Sequence, residues 1–311
     1  MTLRDRVEGC FVGFAVGDAL GVPFEFNSRE ALAIKPVSAM WGHGTWHQPR
    51  GTWSDDSSLS FCLAESLCNG YNLDDIALNC VRWMQEGYWG AHHKVFDIGG
   101  TTRLALTRLA AGVSPKTSGE SDVDSNGNGS LMRIAPASIY FRDSPDNILL
   151  ERMSEISGIT HRHFRSVFSC FIFSKIAQKI LLGFDLPTSY RTAITEIRSI
   201  ESKDELKYFS RILDGSLPLA EEASIRSSGY VIHTLEASLW CLLNSTSYRD
   251  AVMKAVNLGE DTDTTGCVTG ALAGLFYGKE AIPDEWKSVI ARQGDISDLV
   301  EKFYQRISHL G

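Results

Sequence analysis

The sequence predicts an all-α protein folded as one domain over residues 1–311. Three observations carry that reading. Apolar residues recur at helical spacing through most of the chain, Val/Ile-rich alternation bounded by turns is nearly absent, and two apolar segments near opposite ends carry a glycine every fourth residue. The first of these segments, residues 4–20, sets Val7, Phe11, Phe14 and Leu20 at helical spacing with Gly9, Gly13 and Gly17 in register. The second, residues 265–278, carries Gly266, Gly270, Gly274 and Gly278. Each helical glycine costs roughly 1 kcal/mol against alanine, so a row of them predicts close backbone approach, and the two stripes are expected to pack together at the centre of the domain. The same spacing would serve as a dimer face inside a membrane, but both segments are short and flanked by charges, which favours a core role.

Between them the periodicity predicts helices at 57–69, 73–87, 101–111, 146–157, 163–182, 188–200, 204–213, 229–244 and 247–257, with 284–292 and 295–308 after the second stripe. Several open on a capping residue or a proline, such as Ser247 before Tyr248 and Pro283 before Asp284. Two long stretches, 21–56 and 112–130, have no helical pattern; irregular stretches of that length in a compact domain are usually functional or disordered.

Bulk composition narrows the function classes. A formal net charge of −8 disfavours a broad footprint on nucleic acid or anionic lipid, so anionic ligands would have to be held locally by metal ions or backbone amides. The seven cysteines form an odd set without a C-x-x-C, and most sit among apolar neighbours. That pattern predicts a reducing compartment with neither disulfides nor a thiolate metal site. With no apolar signal segment at the N-terminus and no run of 18 apolar residues, the expected location is the cytoplasm, with no membrane partner.

Two acidic clusters stand out. In GTWSDDSS, residues 51–58, Ser54 can cap a following helix whose first turn holds Asp55 and Asp56. In NLGEDTDTTGC, residues 257–267, Asp261 and Asp263 alternate with Thr262 and are followed by Thr264 at the edge of the glycine-striped helix. Either cluster alone reads as a helix cap. Together they supply four carboxylates and nearby hydroxyls, the oxygen-only donor set that hard divalent cations such as Mg²⁺ prefer.

GCFVGFAVGDALGVPFEF, GTWSDDSS, FDIGGTTRLAL, NGNGSLMRIAPAS, the Thr160-His161 pair and GEDTDTTGCVTGALAG follow one another over residues 4–278 in an order that resembles the ADP-ribosylglycohydrolase family. The resemblance implies an orthogonal helical bundle with a cleft holding two Mg²⁺, or Mn²⁺, and hydrolysis of the bond joining ADP-ribose to an arginine or serine side chain or in a related ADP-ribosyl compound. It implies Ser54, Asp55, Asp56, Asp261, Asp263 and Thr264 as metal ligands, with serine at positions 54 and 57 where threonine is commoner. Glu25 and Asp56 are the candidate catalytic bases; the alternative for Glu25 is a solvated loop carboxylate. Asp97 beside Gly99 matches a substrate-facing position, and capping of Thr101 and Thr102 is its alternative. Asn128, Gly129 and Ser130 lie in a loop whose amides are expected to form an anion nest for a diphosphate, the alternative being a plain turn. His161 is expected at the ligand cleft.

The partner implied is an ADP-ribosylated protein or a small ADP-ribosyl substrate, and the activity is compatible with immunity to an ADP-ribosyltransferase toxin. The rival reading is a non-catalytic binding protein on the same fold, either an occluding immunity protein or a crystallin-like structural relative. Retention of every candidate ligand argues against a purely structural role.

Overall fold

The computed structural model describes residues 1–198 and 204–310. Its helices are α1 Leu3–Gly21, α2 Arg29–Ile34, α3 Asp55–Cys68, α4 Leu73–Glu86, α5 Gly100–Ala110, α6 Ala135–Tyr140, α7 Asp146–Gly158, α8 Phe164–Leu181, α9 Leu186–Arg198, α10 Ser210–Leu213, α11 Val231–Leu243, α12 Tyr248–Asn257, α13 Thr262–Tyr277, α14 Asp284–Lys287 and α15 Gln293–Ser308. Among the described residues there is no strand, only the isolated bridges His43–Gln48, Glu120–His161 and Gly127–Tyr230.

The glycine stripes do meet. Gly9, Gly13 and Gly17 of α1 oppose Gly274, Gly270 and Gly266 of α13, so the two helices run antiparallel, and a Cβ at any of these positions would fall inside 3.0 Å of the facing carbonyl. At these levels backbone packs directly on backbone. At the end of this seam Gly21 abuts the backbone of Thr262 and Asp263, and the Thr262 hydroxyl donates to Gly21 O at 2.7 Å. The seam thus fixes the C-terminal end of α1 against the N-terminal end of α13. By length and apolarity the segment Leu3–Phe24 could cross a bilayer, a feature not anticipated from the sequence, but most of it is buried at the centre of the fold. Around the pair, Phe11, Phe14, Phe61, Phe168 and Trp53 fill the core without solvent contact or nearly so.

Four sequence expectations need adjustment. Residues 21–56 are not wholly irregular, since Ser28 caps the short helix α2 by accepting from Ala31 N–H at 3.2 Å. α6 gave no amphipathic signal because residues 135–139 are all buried, and Pro136 fits its first turn. The helix expected at 204–213 is a 3₁₀ segment, Asp204–Phe209, followed by one α-turn, and the one at 284–292 stops at Lys287. Positions 199–200 of the helix expected at 188–200 lie outside the described residues.

Candidate active site

Two helix N-termini converge on the end of the seam. α3 begins at Asp55 and α13 at Thr262, so Asp55, Asp56 and Asp263 occupy first turns, where the helix dipole favours negative charge. The clusters touch: Thr264 Oγ1 donates to Asp56 Oδ1 at 3.4 Å. Asp55, Asp56, Asp263 and Thr264 are all buried, so these acidic residues are not a solvated cap. Ser54 does act as the cap of α3, its hydroxyl accepting from Asp56 N–H at 3.3 Å. Asp261 precedes α13 without capping it, and its Oδ2 accepts from Asn128 Nδ2 at 2.7 Å.

Other segments complete a cleft of about 230 Å³, lined among others by Glu25, Asp55, Asp56, Asp97, Asn128, His161 and Asp261. Glu25 is buried, not solvated, and accepts from the Trp46 indole N–H at 2.5 Å. Trp46 is itself bracketed by Phe26 and Phe96, with ring centroids 6.1 and 5.7 Å away. Asp97 does not cap α5, whose N-cap is Gly99; instead its carboxylate lies within 4.8 Å of ligand oxygens on Glu25 and Asp263. Gly99 and Gly129 line the same cleft.

The loop around Asn128 departs from the expected nest. Asn128 N–H is spent on Gly229 O at 3.1 Å, and the bridge from Gly127 to Tyr230 ties the loop to the start of α11. Asn128 orients Asp261 through its side chain instead. Ser130 is fully buried, and its hydroxyl accepts from Ser157 at 2.8 Å rather than facing the cleft.

Beneath the loop lies Arg133, buried and, among the described residues, without a carboxylate partner. It donates to Gly129 O, to Ile156 O at 3.3 Å and to Thr160 Oγ1 at 2.7 Å. The Thr160 hydroxyl, which accepts from Arg133, also shares a hydrogen bond of 2.8 Å with His161 Nδ1. The other ring nitrogen of His161, Nε2, lies beside Gly127 and Gly129 in the cleft. Burial, aided by the positive charge of Arg133, lowers its pKa to about 3.

Sequence reading missed Asp18. Completely buried on α1, it accepts from Ser54 N–H at 2.9 Å, Ser57 N–H at 3.0 Å and Ser57 Oγ at 2.6 Å, and so clamps the start of α3. The available signal was a lone carboxylate in an otherwise apolar, glycine-striped helix.

Asp18, Glu25, Asp55, Asp56, Asp97, Asp261 and Asp263 thus share one site, and every one has its pKa raised, burial being the largest cause. Mutual repulsion adds to it: Asp97 raises Glu25, which reaches about 8, and Asp18 raises Asp56. No lysine or arginine pairs with any of them among the described residues, and Asp56 Oδ2 is buried without a hydrogen-bond partner. Buried carboxylates with no counter-charge and an orphaned oxygen could hold a metal cation. A separate cavity of about 300 Å³ between α1 and α15 has an apolar floor of Val12, Ile296 and Val300, and its rim charges Arg4, Glu8, Lys279 and Glu301 are paired with one another.

Comparison with known proteins agrees with this architecture. The family model of ADP-ribosylglycohydrolase matches residues 1–310. The chain belongs to the ADP-ribosylglycohydrolase family. With it goes membership of the hydrolases of the glycosidic bond. Among its relatives, ADP-ribosylarginine hydrolase Tri1 of Pseudomonas putida (strain GB-1) is 33% identical over 308 residues, covering 97% of this chain and 78% of that protein. ADP-ribosyl-[dinitrogen reductase] glycohydrolase of Rhodospirillum rubrum is 27% identical, with 92% and 90% covered. A solved structure described as an ADP-ribosylglycohydrolase-related protein complex superimposes with a TM-score of 0.82 at 31% identity, over 98% of each chain.

Proposed function

We propose that this protein removes ADP-ribose from modified arginine side chains in a reaction dependent on divalent metal. The observation that carries the reading is the convergence of the α3 and α13 carboxylates on one cleft with an orphaned oxygen on Asp56 and no basic partner. Similarity to a hydrolase named for ADP-ribosylarginine, at 33% identity, supports the arginine linkage over the serine one.

Asp55, Asp56, Asp261, Asp263 and Thr264 are the residues that would hold the cations, with the Ser54 hydroxyl already engaged as a cap. Two Mg²⁺ or Mn²⁺ bound there would supply Lewis acidity toward the ribose diol and the attacking water and would return the carboxylates to their charged forms. Glu25, one oxygen held by Trp46, keeps the other for a proton taken from water as it attacks C1″. The C1″–N bond then breaks with its electron pair leaving on the guanidine nitrogen, which gains a proton, and free ADP-ribose results. Asp97 and the other cleft carboxylates stabilise the oxocarbenium-like charge at C1″. His161 presents Nε2 to the cleft, and the glycines at 99, 127 and 129 admit the substrate close to the backbone. The same reaction would erase the mark left by an arginine-modifying toxin in the cytoplasm.

The test is incubation with ADP-ribosylated arginine and serine peptides, following free ADP-ribose by mass spectrometry. Release from the arginine peptide, absent with Asp56→Asn, is expected. Release from the serine peptide alone would move the assignment to serine, and release from neither would refute it.

A further inference from the structure

We infer that Arg29 is a positioning residue of this site, holding Glu25 and Asp261 in their mutual placement through backbone alone. Its guanidinium makes no ion pair among the described residues. It donates instead to three carbonyls: Nε to Leu258 O at 2.9 Å, one terminal nitrogen to Glu222 O at 2.9 Å and the other to Ile225 O at 2.5 Å. One planar fork thus spans three segments that are distant in sequence, 25–29, 222–227 and 258–261.

Within reach of that fork the chain crosses itself. Phe26 N–H donates to Glu260 O and Glu260 N–H donates to Asn27 O, both at 2.7 Å. Asp261 N–H then donates to Ser227 O at 3.1 Å, and Ser227 Oγ to Leu258 O at 3.1 Å. The residues in this clasp that flank the two cleft carboxylates are held left-handed: Phe26 follows Glu25 with φ 66°, and Glu260 precedes Asp261 with φ 59°. A phenylalanine rarely adopts that conformation unless its surroundings impose it. Gly259, at φ 80°, leaves no room for a side chain, because a Cβ would lie 2.7 Å from Arg29 N and 2.9 Å from Asn27 O. The turn before α13 and the turn after α1 are therefore shaped against each other, and Arg29 closes the clasp from outside the cleft. Among the described residues it pairs with no carboxylate, and it acts through the two turns.

The inference rests on the functional reading above, so its test includes a readout independent of catalysis. In the full chain, Arg29→Ala is compared with wild type and with Arg142→Ala, which removes a carbonyl-bound guanidinium far from the cleft. Hydrogen exchange followed by mass spectrometry should show peptides spanning 22–29 and 256–263 exchanging about tenfold faster in Arg29→Ala only, while the middle of α13 stays protected. Calorimetry should show Mn²⁺ binding weakened about tenfold, with kcat falling more than KM rises. Arg29→Lys, which keeps the charge but only part of the fork, should fall between wild type and Ala, and it supplies the measurement if Ala does not fold. Unchanged exchange in both peptides, or equal effects from Arg142→Ala, would overturn the positioning role. A wild type that hydrolyses no ADP-ribosyl peptide would overturn the functional reading instead, and exchange would still decide whether Arg29 closes the clasp.

Discussion

Substituting Gly17 by alanine tests the geometry on which the whole site hangs. A Cβ at Gly17 would lie 2.6 Å from Gly266 C and 3.2 Å from Cys267 N, and closer still to Gly266 O. Ordinary contact begins near 3.4 Å, so α1 and α13 would have to separate by about 0.8 Å or more at this level. Both contacting surfaces are helical backbone and cannot yield by a rotamer change. Overpacking of this kind costs about 1–3 kcal/mol, and the upper end applies where nothing flexes. Alanine's better helix propensity returns roughly 1 kcal/mol, leaving a net loss of about 2 kcal/mol. For a chain of 311 residues that corresponds to a fall in Tm of roughly 3 °C. Gly294 provides the opposite sign: it sits in the first turn of α15 with nothing within 4 Å of where an added methyl group would lie, so Gly294→Ala should stabilise by about 0.4–1 kcal/mol. Scanning calorimetry on the two variants checks both. A Gly17→Ala protein melting at or above wild type would mean that the seam has slack, and that it does not fix where α13 begins.

Three further outcomes follow from particular contacts. Asp18→Ala strips the Ser54 and Ser57 N–H groups and the Ser57 hydroxyl of their acceptor in a fully buried place, so urea unfolding should show a loss of about 1–3 kcal/mol; a neutral result would show that α3 needs no clamp. For His161 the folded pKa of about 3 lies below its unfolded value, so the unfolded chain gains a proton first as pH falls below about 6.5. Its contribution is full above that pH and is lost by up to about 1.4 kcal/mol per pH unit between there and pH 3, a slope that His161→Gln should remove from pH-dependent unfolding curves. A wild-type imidazole that titrates near 6.5 by NMR would contradict the Arg133–Thr160–His161 relay. Trp46→Phe keeps the ring between Phe26 and Phe96 but removes the donor to Glu25, and kcat should fall about tenfold while Tm shifts little; an unchanged kcat would free Glu25 from that partner.

What was legible in the sequence divides along physical lines. The long amphipathic or glycine-striped helices announce themselves because period and packing agree: the stripe at Gly9, Gly13 and Gly17 predicted a close partner, and Gly274, Gly270 and Gly266 are that partner. The acidic clusters at 55–56 and 261–263 were visible because carboxylates at the mouth of apolar helices are conspicuous. Residues that act through backbone left weaker traces. Nothing in the spacing of Arg29, Leu258 and Ile225 shows that one guanidinium will bridge them, since the contacts span more than 190 positions. Ser130 was misplaced for a related reason: a serine in a glycine-rich loop reads as exposed, whereas Ser157 and the α8 residue Cys170 enclose it. α6 stayed hidden because a helix buried on all sides has no period to detect.

In the proposed function the carboxylates of α3 and α13 act together by holding divalent cations, and Asp263→Asn puts that to the test. The substitution keeps the shape of a buried side chain whose Oδ1 accepts from Thr264 N–H at 3.0 Å, and removes only the charge. Wild type and variant are stripped with EDTA and titrated with Mg²⁺ or Mn²⁺ while ADP-ribose release from an arginine-linked peptide is followed. Neither metal-free protein should release ADP-ribose, wild type should recover fully, and the variant should be slower by about two orders of magnitude and partly rescued at high metal concentration. An Asn variant that is fully active, or a wild type indifferent to EDTA, would contradict it.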